Sequence, residues 1–160
     1  MLDGPSIASA LKRCSITHVV WLPDTELGAW DAALSNAEGL SLIRVCREGE
    51  AFALAAGLYL GGMKPIVIVQ CTGLFEAGDA LRNVIHDMKL PLFFVVGVRS
   101  YHLHQQGATR DSCPVFTEPI MRAWQIPYGL LDQRNNADDL ARAYLDAAKE
   151  KRAAAVLIAE

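Results

Sequence analysis

Residues Cys46 to Leu74 read CREGEAFALAAGLYLGGMKPIVIVQCTGL. The segment opens where the apolar run Leu40–Cys46 stops, and it sets two carboxylates, Glu48 and Glu50, at the mouth of a helix expected over Glu48–Leu60. Acidic side chains suit that end, because the first backbone N–H groups of a helix are unpaired and carry its positive pole. From Phe52 to Leu60 there is no charged residue, and Ala and Gly recur. A helix of that composition is expected to be deeply buried and tightly packed. The next run, Pro65–Gln70, is apolar almost throughout and rich in Val and Ile. Such a run suits a strand covered on both faces, as in a parallel sheet.

The same alternation extends in both directions. Thr17–Leu22, Leu40–Cys46, Pro65–Gln70, Leu90–Gly97, Pro127–Leu131 and Ala154–Ala159 read as short strands. Ser6–Cys14, Glu26–Ser35, Glu48–Leu60, Gly78–Met88, Val115–Gln125 and Ala137–Arg152 have helical spacing between them. Asn136 is placed to cap the last helix, with Asp138 and Asp139 in its first turn and Lys149, Lys151 and Arg152 near its end, as the helix dipole favours. The longest expected loop runs from Val98 to Pro114. Right-handed crossovers between parallel strands follow, and with them an α/β three-layer sandwich around a mostly parallel sheet of about six strands. Residues 1–160 are expected to form one domain.

Composition narrows the classes. Hydrophobic residues make up 52% and charged residues 21% of the 160, a balance that favours a packed core over disorder. A net charge of −3 gives no reason to expect nucleic acid or an anionic membrane as partner. Cys14, Cys46, Cys71 and Cys113 are far apart and form no CxxC pair, so reduced thiols are expected and neither a disulfide framework nor a zinc site. Lys12 and Arg13 interrupt the first apolar stretch, and no run reaches the ~18 apolar residues of a membrane span. The expectation is a soluble cytoplasmic protein.

In folds of this class, ligands meet the C-terminal ends of the strands. Four polar segments fall there: Pro23–Glu26, Arg47–Glu50, Cys71–Leu74 and Val98–Gln106. Glu48 and Glu50 have a structural reading, worth ~0.3–1 kcal/mol each at a helix start. They also have a chemical one, since a carboxyl desolvated beside the core favours its protonated form. Asp24 serves either as a helix cap with Thr25 or as a site residue. Cys71 reads as a small buried hydrophobe. Arg99, His102, His104 and Arg110 belong either to an exposed connector or to a substrate-recognition loop, where an arginine would grip an anion bidentately. On a strand, His102 and His104 would share a face, but no third ligand completes a metal site. His18 and His86 read as structural.

The stretch from Val45 to Leu74 resembles the pyrimidine-binding (PYR) domain of thiamine diphosphate enzymes and, among them, the sulfopyruvate and phosphonopyruvate decarboxylases. Those domains carry a catalytic Glu after the second strand, an Ala/Gly-rich helix, a Lys-Pro or Arg-Pro step, and a strand ending near Ser/Thr-Gly. Glu48 falls at the Glu position. The resemblance implies that its carboxyl hydrogen-bonds N1′ of the cofactor's aminopyrimidine and promotes the imino tautomer. That form activates the thiazolium C2 for attack on a 2-keto acid. It implies further that Thr72, Gly73 and Leu74 line the pyrimidine, with Cys71 and Glu76 standing where related decarboxylases have Asn. Asp24 would assist protonation, and Arg99, His102, His104 or Arg110 would hold the substrate.

One part of the family's equipment is missing. The diphosphate is held there through Mg²⁺ by a GDG motif followed by Asn, whereas this chain has only Gly78-Asp79-Ala80 inside an expected helix. The resemblance therefore implies half of a site. A diphosphate-binding (PP) β subunit would supply the other half and most of the Mg²⁺ ligands, in a hetero-oligomer. The leading expectation is the α subunit of a two-chain 2-keto acid decarboxylase. Its rivals are a non-catalytic PYR-like scaffold, a carboligase using the same activation, and a flavodoxin-like binding protein. Asp24 and Glu26 would repel the phosphate which that last reading requires.

Overall fold

The computed structural model describes residues 2–25 and 27–160. Strands β1 (His18–Trp21), β2 (Ser41–Arg44), β3 (Pro65–Gln70), β4 (Phe93–Val98), β5 (Tyr128–Leu131) and β6 (Ala154–Ala159) form one sheet in the order β2-β1-β3-β4-β6-β5. Every pairing is parallel; Val19, for example, lies between Leu42 and Ile66. The uniformly apolar strands are those with a core on each side. Ile66 and Ile68 of β3 and Phe93 and Val95 of β4 face one core, while Val67, Val69, Phe94 and Val96 face the other. That is the period-two alternation of a strand with no solvent face. β2 and β5 are the sheet edges, and their side chains are half open.

Helices α1 (Gly4–Arg13), α2 (Asp31–Ser35) and α8 (Ala137–Glu150) cover one face through Ile7, Leu11, Leu34 and Leu140. On the other lie α3 (Glu48–Leu60), α4 (Cys71–Glu76), α5 (Gly78–Arg82) and α7 (Cys113–Ala123), packed through Phe52, Leu74, Leu81 and Met121. Phe52 and Phe94 meet edge to face, with ring centroids 5.3 Å apart. Asn136 caps α8 as expected. Its side chain accepts from Asp138 N at 2.8 Å, and Asp139 accepts from Asn136 N at 3.0 Å.

The third strand ends at Gln70 as expected, and the chain then coils at once into α4. Three expectations change in detail. The expected loop from Val98 to Pro114 contains α6 (Tyr101–Gln105), and α7 begins inside it. Ser100, at φ 58, turns the chain out of β4 and starts that helix. The expected Gly78–Met88 helix is α5 followed by a π-helical turn over Asn83–Asp87. The expected helix Glu26–Ser35 becomes a 3₁₀ turn at Gly28–Trp30 and then α2, and its first residue, Glu26, lies outside the described residues. No helix among the described residues is long and apolar enough to cross a membrane.

Candidate active site

Parallel strands place all their C-terminal ends on one edge, so α3, α4 and the turn at Asp24 start from neighbouring points. Glu48 is the first residue of α3, and Gly73 sits in α4. A Cβ built on Gly73 would lie 2.4 Å from Glu48 Cγ and 2.5 Å from its Oε1. The glutamate therefore lies directly against the glycine backbone, an approach that any larger residue would block. Glu48 is half-buried, and its carboxylate has no hydrogen-bond partner among the described residues.

Its two acidic neighbours are engaged. Glu50 is exposed, and its Oε2 accepts from Cys46 N at 3.2 Å, which assigns it to the helix end. Glu76 reaches over from the end of α4. Its Oε2 accepts from Gly49 N at 2.9 Å, and its Oε1 accepts from both Arg47 Nε, at 3.0 Å, and Arg47 Nη2. This clamp ties α4 to the first turn of α3 on either side of Glu48. The Gly49 N–H, and then the Arg47 guanidinium, hold the Glu76 carboxyl below the ordinary glutamate range, while the same pairing raises Arg47.

A carboxyl lowered in the folded state stabilises the fold above the unfolded glutamate range, and that contribution is lost as pH falls through the folded value. Glu76→Gln is accordingly expected to melt below wild type at pH 7. The shift should be roughly 1–4 °C for a helix-end carboxylate in a chain of this size. Thermal melts from pH 7 to pH 3 check it: the gap must close toward the acid end, and a gap constant with pH would refute the assignment.

Asp24 is half-buried and accepts from Leu27 N at 2.8 Å and Trp21 Nε1 at 3.2 Å. It thus has the donors of the capping reading while standing at the end of β1. Thr72 donates to Gln70 Oε1 at 2.6 Å, and Leu74 is wholly buried.

The recognition candidates separate. Arg99 Nε donates to Asp111 Oδ2 at 2.8 Å and its Nη2 to Cys113 Sγ at 3.4 Å. Arg110 is exposed and has no partner among the described residues. His102 lines a groove of about 560 Å³ with Gln105, Leu130, Asp132 and Arg134, toward the β5 edge, while His104 is exposed. Because both histidines belong to α6, a two-residue step turns them about 200° apart instead of onto one face. Sequence reasoning missed the Arg47–Glu76–Gly49 clamp and the packing of α4 against α7. For the clamp, the one sign was a charged residue, Glu76, at an Asn position.

Residues 4–117 match the N-terminal TPP-binding domain of thiamine pyrophosphate enzymes. The chain belongs to that family. It is 23% identical over 128 residues to the sulfopyruvate decarboxylase subunit alpha of Methanococcus maripaludis, covering 80% of this chain and 76% of that one. It is 28% identical over 91 residues to the phosphonopyruvate decarboxylase of Streptomyces viridochromogenes, covering 57% of this chain and 23% of that enzyme. The benzoylformate decarboxylase structure from Polynucleobacter necessarius superposes with a TM-score of 0.67 at 19% identity, over 99% of this chain and 30% of that one. At that identity the likeness is one of fold. The chain thus spans 30% of the length of that solved enzyme and about three quarters of the sulfopyruvate decarboxylase subunit.

The residues present fit the pyrimidine end of thiamine diphosphate. A half-buried carboxyl without a hydrogen-bond partner among the described residues lies against the glycine of a neighbouring helix. They do not offer the diphosphate end: Asp79, in the sequence nearest to a metal motif, is exposed and paired with Arg82 at 2.9 Å.

Proposed function

We propose that residues 1–160 form a single PYR domain, the α subunit of a two-chain thiamine diphosphate-dependent 2-keto acid decarboxylase. The observation that carries this reading is the unpartnered Glu48 carboxyl seated on Gly73 at the sheet's C-terminal edge. When bound, the cofactor supplies the electron sink for loss of CO₂ from a 2-keto acid. Glu48 would hold a proton at the ring nitrogen facing it. Gly73 leaves room for the Glu48 side chain, and Glu76 and Arg47 keep the first turn of α3 in place. Glu48 remains half-buried in this chain alone, so the desolvation that favours a shared proton needs a second wall.

The outer face of α3 supports such a partner. The expectation of a deeply buried helix holds for one stripe, Ala51, Phe52, Ala55 and Ala56, whereas Leu60 keeps 64% of its surface exposed and Tyr59 and Met63 about 40%. A helix apolar all round is ordinarily covered on every side. A β subunit carrying the GDG…Asn motif would cover it, and would hold the diphosphate and Mg²⁺. The isolated chain is expected to bind thiamine diphosphate weakly and to turn over no substrate, whereas the reconstituted pair binds tightly and decarboxylates sulfopyruvate or phosphonopyruvate. Calorimetric titration of the cofactor with Mg²⁺ into each preparation tests this. Tight Mg²⁺-dependent binding to the chain alone would sink the two-chain reading.

The substrate proposed is a short 2-keto acid with a second anionic group. Arg110, the unpaired guanidinium, is the first choice for that group, ahead of Arg99, His102 and His104. Loss of a charge-assisted contact costs about 1.5–3 kcal/mol, or roughly 10–150-fold in kcat/KM. Alanine variants of all four in the assembled enzyme give the readout. Unchanged kinetics in every one would reduce the segment to a connector.

A further inference from the structure

Between α6 and α7, residues 108–112 have no helix or strand to shape them. Arg110, the exposed cation of this stretch, stands between two half-buried residues, Thr109 and Asp111. Those neighbours are bonded to each other and to the fold. Asp111 N donates to Thr109 Oγ1 at 3.1 Å, which closes a short turn around Arg110. Asp111 Oδ2 accepts from Nε of Arg99, the residue after β4, at 2.8 Å. Asp111 Oδ1 accepts from Cys113 N, the first amide of α7, at 3.0 Å. The Asp111 side chain is 17% exposed, against 41% for Arg99. We propose that Asp111 is a positioning residue: it fixes the backbone on both sides of Arg110 and compensates the charge of Arg99, so that of the two arginines Arg110 presents the free guanidinium to an anionic substrate group. This role rests on the recognition function proposed for Arg110.

A long cationic side chain on an unshaped stretch of backbone loses both rotamer and backbone freedom when it grips an anion. Fixing the backbone beforehand removes part of that cost, which is the benefit of preorganisation. Thr109 and Asp111 achieve it through bonds that leave every donor of Arg110 free. The same carboxylate decides which arginine is available. Arg99 already has its counter-ion, and a second anion drawn to it would sit beside the Asp111 carboxylate, which repels it. The Cys113 N–H, and then the Arg99 guanidinium, hold the Asp111 carboxyl below the ordinary aspartate range, and the bond to Asp111 raises Arg99. Both groups therefore stay charged near neutral pH, and the pair stays closed. A role confined to covering the first amide of α7 would make a different prediction: loss of stability with no effect on substrate affinity.

Asp111→Ala is compared with Arg110→Ala, each as the isolated chain and in the reconstituted enzyme. In the isolated chain, amide hydrogen exchange over residues 109–113 is expected to speed up in Asp111→Ala and to stay at the wild-type rate in Arg110→Ala. The melting temperature of Asp111→Ala should fall by about 2–4 °C from the lost cap. In the reconstituted enzyme, KM for sulfopyruvate or phosphonopyruvate is expected to rise roughly 10–100-fold in Asp111→Ala, with kcat lowered less than about threefold, the split that lost binding produces. The double variant should be no worse than Arg110→Ala, because both changes act through one guanidinium. Unchanged KM in Asp111→Ala beside a raised KM in Arg110→Ala would refute the positioning and leave the role of Arg110 standing. Unchanged KM in Arg110→Ala would remove the recognition function and the positioning with it. Additive losses in the double variant, or exchange over residues 109–113 that Asp111→Ala does not alter, would show that Asp111 does not act by holding Arg110.

Discussion

Glu48→Gln is expected to slow hydrogen–deuterium exchange at C2 of bound thiamine diphosphate in the assembled enzyme by roughly 100–10,000-fold, the range for loss of a positioned proton-transfer group. Glutamine preserves the side chain's size and its fit over Gly73, but it cannot share a proton. Glu48→Asp preserves the acid and shortens its reach by one methylene, a displacement of the order that can cost about 100-fold. Neither change should unfold the protein, because Glu48 makes no hydrogen bond among the described residues and a helix-start charge is worth only ~0.3–1 kcal/mol. Glu50→Gln is the control. Its carboxylate accepts from Cys46 N, so the variant should lose a little stability and exchange C2 at nearly the wild-type rate. The reverse pattern would move the catalytic acid to Glu50. Unchanged exchange in both variants would remove the proposed role from this turn altogether.

The choice between Glu48 and Glu50 shows where sequence stops being informative. Both lie in the first turn of α3, and either could neutralise its positive pole. Two residues on a helix point about 200° apart, so only the position of α4 decides which one meets the neighbouring strand end. The layered fold was readable because β3, β4 and β6 carry apolar side chains on both faces, a pattern that only a doubly covered sheet satisfies. α6 was not readable: Tyr-His-Leu-His-Gln has no apolar stripe, and the helix is set by the left-handed turn at Ser100 and by His102 N donating to Glu160 O at 3.1 Å. The packing of α4 against α7 was invisible for a similar reason. Cys71 and Cys113 belong to different strand–helix units, and nothing local to either records that α4 and α7 pack together. Glu76 lay between these cases, visible as a charge but with partners fixed only by the fold.

Gly73→Ala should silence the site while leaving the fold intact. The added Cβ would stand 2.4 Å from Glu48 Cγ, 2.7 Å from Cδ and 2.5 Å from Oε1. Contacts that short must relax, and the movable partner is a glutamate side chain, not backbone. Gly73 is helical and is absent from the positive-φ residues, so alanine meets no backbone strain there and gains about 1 kcal/mol of helix propensity over glycine. Melting temperature should therefore hold or rise slightly. The Glu48 carboxyl, swung off its seat, should lose on the order of 100-fold in C2 exchange. Gly57→Ala supplies the comparison: it lies in α3 with nothing within 4 Å of a new Cβ, and it should gain stability with no effect on exchange. The double variant Gly73→Ala/Glu48→Gln carries the argument furthest. If Gly73 acts only by seating Glu48, the two defects share one cause and the double should be no slower than Glu48→Gln alone. Additive losses would mean that Gly73 also makes room for something besides the glutamate, and wild-type exchange in Gly73→Ala would show that the seat does not matter.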